Sequence, residues 1–289
     1  MAEKIDFQKL MAEFAADISK RKGLLTEDSV RYYVFKAFLS QDSELNNYTL
    51  ELPYESITYD KPSSDDKEEN KYGVRLLKDD GLERKNGKLD QELDLYHSNN
   101  GEPICMEIKF HRHPTEVAFP HPQAAGSLFN DLQRLNLFEA VGCKKIHKLF
   151  LYVTDEEMNS YLGKEKEVKI VENNFEEKVK IEINYRKNLN NFYAPDNREF
   201  VFSIPEDVCS EEKEREGSFP KTFVLASLKS FAPIIEKKND SRWKTNLLKK
   251  RKNVWKDLKL NLLYKMDGLQ CESPSIKGGK VYIRLYEVL

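Results

Sequence analysis

Cysteine is scarce in this chain. Its four copies, Cys105, Cys143, Cys209 and Cys271, lie far apart and form no CxxC pair. That spacing argues against a disulfide framework or a clustered zinc site and fits a reducing compartment. Long apolar runs are missing as well: no window approaches the roughly 18 residues of a membrane span. The opening stretch MAEKIDFQKLMAEF carries acids where a signal peptide would carry an apolar run. These absences predict a cytoplasmic protein without membrane contact. There is no internal repeat. Net charge is nearly absent too, at -2, which says nothing about partners until the charges are mapped.

What is present is a charged fraction of 33% beside a hydrophobic fraction of 39% in 289 residues, enough to bury a sizeable core. The charges are uneven. From Lys237 to Lys265 there are eleven Lys or Arg against two acids, which leaves the rest of the chain acidic. Within that stretch Lys249, Lys250, Arg251 and Lys252 lie between Trp243 and Trp255. They suit the tracking of a nucleic-acid backbone with tryptophans to stack; a solvated helix face with core tryptophans is the plainer reading.

Taken in order, residues 4–21 have the spacing of an amphipathic helix, with Phe7, Leu10, Met11 and Phe14 on one stripe. Thr26 is a helix cap, followed by Glu27 and Asp28, which suit a positive helix N-terminus, and by Val30, Tyr33, Val34, Ala37 and Phe38 at helical spacing. Tyr48–Tyr54 reads as a strand with Leu50 and Leu52 inward, and residues 55–88 as a flexible insertion. After Phe110 comes a proline-rich loop with His111, His113 and His121, read mainly as ordinary polar contacts. Residues 123–139 have helical spacing, and HKLFLYVT (147–154) is an apolar run suited to a strand buried on both faces. Strand, helix and strand make a parallel crossover. Further on, 167–185 suggests one or two strands, 199–204 another, 222–232 a helix or strand, and 280–288 a closing strand.

The stretch from Asp90 to Phe110 organises the rest. Asn100-Gly101 is a two-residue hairpin signal, since both residues tolerate positive φ. Used as a turn, it sets Asp94 opposite Glu107 and Glu92 opposite Lys109, all on one face. Leu93 with Ile108 and Leu95 with Met106 fall on the other. Two carboxylates on such a pair stand about 5 Å apart at Cβ. Their repulsion is about 0.8 kcal/mol in water but about 3.3 kcal/mol at an effective dielectric near 20, so partial burial calls for a cation. Lys109 is one. A hard divalent ion such as Mg²⁺, with Mn²⁺ as a substitute, completes the balance through Asp94, Glu107 and the Ile108 carbonyl. Such an ion polarises a phosphodiester and acidifies bound water, while Lys109 positions or deprotonates that water.

Asp94, twelve residues, then Glu107-Ile108-Lys109 resembles the PD-(D/E)xK motif of the restriction-endonuclease-like nucleases, with Leu93 where the pattern has proline. The resemblance covers about residues 20–155. It implies an α/β fold (α+β, mixed sheet): a central mixed β-sheet flanked by helices over residues 1–160, plus a C-terminal mixed α/β extension, 161–289, for DNA contact or dimerisation. It also implies Mg²⁺-dependent hydrolysis of DNA, as by a type II restriction enzyme or another defence or repair nuclease, with RNA and a homodimer left open. Asp94 and Glu107 would hold the metal, Glu27 would assist from its helix, and Lys109 would act on the water. Glu51 and Glu92 are the other candidates for the third acid. Gln123, Asn130, Asp131 and Arg134 on the following helix are supporting candidates, although Asp131 and Arg134 also read as a simple surface ion pair. Plainer alternatives are a solvent-facing ladder pairing Glu92 with Lys109, and a non-catalytic nucleic-acid-binding or assembly protein that keeps the fold.

Overall fold

The computed structural model describes residues 5–53, 92–98, 102–113, 120–136, 138, 145–163, 168–172, 175–179, 184–203, 221–229 and 257–289. The segment 55–88, the Asn100-Gly101 turn, and Trp243, Lys249, Lys250, Arg251, Lys252 and Trp255 lie outside the described residues.

Local chemistry sets the first two helices. Asp6 caps α1 (Phe7–Ser19) by accepting the backbone N–H groups of Gln8 and Lys9, and Leu10, Met11, Phe14, Ala15 and Ile18 are its buried stripe. Thr26 caps α2 (Glu27–Leu39) in a reciprocal box with Ser29, and Val30, Val34, Ala37 and Phe38 turn inward. Three strands follow: β1 (Tyr48–Pro53), β2 (Glu92–His97) and β3 (Ile104–His111). Helix α3 (His121–Asn136) then leads to β4 (His147–Asp155), which pairs with β3 in parallel, as the crossover spacing predicts. Next come α4 (Glu156–Gly163), a separate hairpin of β5 (Val168–Glu172) and β6 (Phe175–Val179), and α5 (Asn184–Tyr193). The described chain continues with β7 (Glu199–Phe202), α6 (Lys221–Ser227), β8 (Leu258–Gln270) and β9 (Lys280–Val288).

Seven of these strands form one mixed sheet, in the order β1-β2-β3-β4-β9-β8-β7. Only β3 and β4 run parallel as neighbours. Three strands from 161–289 thus continue the sheet that β1–β4 begin. Strand β8 is the element the sequence hides, because its alternation of buried Leu258 and Leu260 with exposed Lys259 sits inside the basic stretch.

Helices cover both faces. On one, α1 and α2 pack on Leu95, Met106, Ile108, Leu149, Leu151 and Val153. On the other, side chains from α3, α4, α5 and α6 pack on Cys105, Phe150, Tyr152 and Tyr286. Strand β4 is therefore apolar on both sides, as its sequence predicts. Gly126 lets α3 and α6 touch: a Cβ there would stand 2.3 Å from the Phe223 carbonyl oxygen. Leu50 departs from expectation. It is 45% exposed rather than inward, because β1 is the last strand of the sheet; the side chain of Leu52 lies outside the described residues.

The β2–β3 register is the expected one: Leu95 opposes Met106, Tyr96 opposes Cys105 and His97 opposes Ile104. The ladder ends there. Beyond it Leu93 joins the core under α3 while Leu95 and Ile108 join the core under α1 and α2. The expected same-face pair of Leu93 and Ile108 is therefore split, because β2 turns away from β3 at Asp94. Glu92 pairs through its backbone with Pro53 of β1.

Candidate active site

The site lies where β2 and β3 part. On the β2-facing edge of β3, the N–H groups of Ile108 and Phe110 have lost their strand partner. Carboxylates replace it: Asp94 Oδ2 accepts from Ile108 N at 2.6 Å, and Glu27 Oε2 accepts from Phe110 N at 3.3 Å. The two acids thus satisfy one buried and one partly buried donor that would otherwise be costly, and these bonds fix both acids where the strands part. A strand residue's N–H and C=O share a side, so the Ile108 carbonyl faces the same edge.

A cavity of about 240 Å³ opens at this point. Its walls are Glu27 and Arg31 of α2, Glu51 of β1, Asp94 of β2, Glu107, Ile108 and Lys109 of β3, and Asp131 and Arg134 of α3. Asp94, Glu107, Ile108, Lys109 and Glu27 therefore meet, as the motif predicts. Glu51 joins them; it sits in β1 with a left-handed φ of 51°.

Asp94 and Glu107 are 6% and 3% exposed, so the hairpin face is not a solvent-facing ladder. Each carboxylate is met by a guanidinium. Arg31 Nη2 lies 2.7 Å from Asp94 Oδ1, and Arg134 Nη2 lies 2.6 Å from Glu107 Oε1. Arg31 also reaches Glu27 Oε1 and Asp28 Oδ1, each at 3.2 Å, and Glu51 Oε1 at 3.4 Å. Lys109 Nζ is 3.3 Å from Asp131 Oδ2 and 3.9 Å from Glu27 Oε2; the side chain of Glu92, its expected partner, lies outside the described residues.

Burial pushes Glu107 up to about 8 despite the Arg134 charge, with Asp94 and Asp131 adding to the rise. Burial likewise raises Asp94 to about 6, against the Ile108 N–H and the Arg31 charge. For Lys109 burial acts downward, but Asp131, Glu27 and Asp94 outweigh it and its pKa is raised. Lys109 is thus an ammonium, suited to stabilising negative charge and orienting water rather than to removing a proton.

The supporting candidates divide. Asp131 and Arg134 are not a surface pair: their side chains are 12% and 11% exposed, 3.6 Å apart, and enclosed by the site. The sequence shows their helical spacing but not that this face of α3 lies over β3. Asn130 is buried and donates to Asp131 Oδ1 at 3.2 Å, which orients that acid. Gln123 is exposed and does not line the cavity. Arg31 is the residue that motif reasoning missed; its i, i+4 spacing from Glu27 places both on one helix face and was the available signal.

The histidines do not line the cavity. His113 and His121 each place Nε2 3.2 Å from Glu157 Oε1, and His121 stacks on Tyr161. His111 Nδ1 is 3.2 Å from the Tyr152 hydroxyl, and burial, aided by the Lys109 charge, lowers it to about 3. It is therefore neutral and does not serve as a phosphate-binding cation.

Among the described residues, no group of three or more His, Cys, Asp or Glu side chains is already arranged to hold a metal ion. The donors at the parting strands nonetheless match a hard cation in kind: Asp94, Glu107 and a main-chain carbonyl, all oxygen. Five carboxylates line the cavity against three cations, so the wall is short of positive charge when all ionise. A divalent ion there would compete with Arg31 and Arg134 for Asp94 and Glu107. Among the described residues no helix is long and apolar enough to cross a membrane. Comparison of the chain with protein-family models, curated proteins and solved structures gives no match in any of the three.

Proposed function

We propose that this protein is a divalent-metal-dependent nuclease with a restriction-endonuclease-like core, and that its substrate is DNA. The observation that carries the proposal is the convergence of buried Asp94 and Glu107 with the ammonium of Lys109 at one opening of the sheet. Mg²⁺ bound there would supply Lewis acidity and an acidified water. The chain would do the rest. Asp94 and Glu107 hold the cation, with Ile108 offering its carbonyl. Lys109, fixed by Asp131 and Glu27, orients the attacking water and offsets charge that builds on the phosphate. Glu27, anchored on Phe110 N, is the third acid and Glu51 its competitor. The basic stretch around Lys249–Lys252 is the concentrated positive charge of the sequence and supports a polyanionic substrate.

The test is incubation of the full chain with linear and supercoiled DNA in Mg²⁺ or Mn²⁺. Cleavage by the wild type, with loss of at least about a hundredfold in Asp94→Asn and Lys109→Met proteins that keep their circular dichroism, supports the reading. Undiminished cleavage by Lys109→Met removes Lys109 from the mechanism. The close contacts of Arg31 with Asp94 and of Arg134 with Glu107 favour one other reading, a nucleic-acid-binding or assembly protein without turnover. That protein would bind DNA in a salt-sensitive way, cut it with no divalent ion, and be indifferent to Asp94→Asn.

A further inference from the structure

Arg31 and Arg134 reach the metal-ligand candidates from opposite sides of the sheet. One comes from α2 and one from α3, and each ends within 2.7 Å of a different carboxylate. Neither pair is an exposed surface bridge: the arginine side chains are 26% and 11% exposed and both line the cavity. Each guanidinium holds one oxygen, Oδ1 of Asp94 or Oε1 of Glu107, and a divalent ion drawn to the same carboxylate competes with it for lone pairs and is repelled by its charge. The arginines therefore occupy the positions from which a cation would be served.

Arg31 carries a second sign of a changing partner. Its fork is shared among carboxylate oxygens of Asp94, Glu27, Asp28 and Glu51 at 2.7–3.4 Å, while its buried Nε has no hydrogen-bond partner among the described residues. A guanidinium built only to neutralise these acids would use that donor, because a buried unsatisfied N–H is costly. Guanidinium forks fit the paired oxygens of a phosphate as well as those of a carboxylate.

Resting on the nuclease reading, we propose that Arg31 and Arg134 are exchangeable counter-cations: they hold Asp94 and Glu107 before metal binds, and once displaced they clamp the phosphate being cut. Charge follows the exchange. An arriving divalent ion takes over the two acids, which leaves two guanidiniums beside Lys109 with charge to spare. A phosphodiester entering the same cavity absorbs it. Metal and phosphate thus favour each other's binding through the two arginines, beside any direct contact between them.

The test uses the full chain and two readouts other than cleavage. The first is the affinity for Mn²⁺ alone, measured calorimetrically for the wild type, Arg134→Met and Arg31→Met, with circular dichroism as the fold control. The exchange predicts Mn²⁺ binding at least about tenfold tighter in each variant, because a competing cation is gone, with Arg134→Lys in between. The second is binding of a short fluorescein-labelled duplex in Ca²⁺, which should weaken at least about tenfold in the same variants. A purely structural arginine predicts the reverse of the first result, a looser site. Folded variants whose Mn²⁺ affinity is unchanged or weaker overturn the exchange and leave the nuclease reading standing. Tighter Mn²⁺ binding with undiminished duplex binding refutes the phosphate clamp. Absence of Mn²⁺ binding in the wild type and both variants overturns the metal-dependent reading itself, and the exchange with it.

Discussion

Metal binding at Asp94 and Glu107 should release a proton, and the number is fixed by the site. Metal ligates the carboxylate, not the carboxylic acid. Glu107 titrates at about 8 and Asp94 at about 6 in the metal-free protein, both raised chiefly by burial. At pH 7 Glu107 is one unit below its midpoint and about nine-tenths protonated, while Asp94 is one unit above its own and about one-tenth protonated. Together they give up about one proton per ion bound at pH 7 and about 0.1 at pH 9. Affinity should then climb about tenfold per pH unit between 6 and 8 and level off above. Titration with Mn²⁺ in buffers of small and large ionisation heat reads the number directly, as the slope of observed enthalpy against buffer enthalpy. A slope near one proton at pH 7 that vanishes at pH 9 is expected. Binding with no buffer dependence at pH 7 would refute the reasoning, for it would mean that burial does not keep a proton on Glu107 in the metal-free protein.

Other outcomes follow from the same geometry. Because Glu107 has a folded pKa raised above its unfolded value, it disfavours the folded state as pH climbs from about 4.5 to 8 and adds no further slope above that. Metal-free Glu107→Gln should therefore lose this part of the decline, read as a flatter urea midpoint between pH 5 and 8; an unchanged slope contradicts the burial argument. Thr26→Ala removes the cap of the helix that carries Glu27 and Arg31 and should cost about 1 kcal/mol in denaturant unfolding. Gly126→Ala forces α3 and α6 apart and should cost about 1–3 kcal/mol. Asp131→Asn loosens Lys109 and Arg134 together, so cleavage should fall further than Mn²⁺ affinity does.

Much of this was legible in the chain. The Asn100-Gly101 signal gives the observed β2–β3 register, and the spacing of Thr26, Glu27 and the apolar stripe gives α2 with its cap. What period-two alternation does not reveal is where a ladder stops. Asp94 sits at that point, so Leu93 and Leu95 enter different cores although they are two residues apart. Nor does local spacing reveal burial by a neighbouring layer. Asp131 and Arg134 look like a solvated i, i+3 pair until α3 is laid over Glu107 and Lys109, and only then are they part of the charge balance. Strand β8 shows the opposite failure: net charge dominates the eye over Leu258–Lys265, yet alternate residues there face a core.

The most direct measurement is a crystal of the full chain soaked in Mn²⁺ and recorded at the manganese absorption edge. An anomalous peak bound by Asp94 and Glu107 is expected, with both guanidiniums withdrawn from those carboxylates. Manganese absent from that position, with Arg31 still on Asp94 and Arg134 still on Glu107, would contradict it.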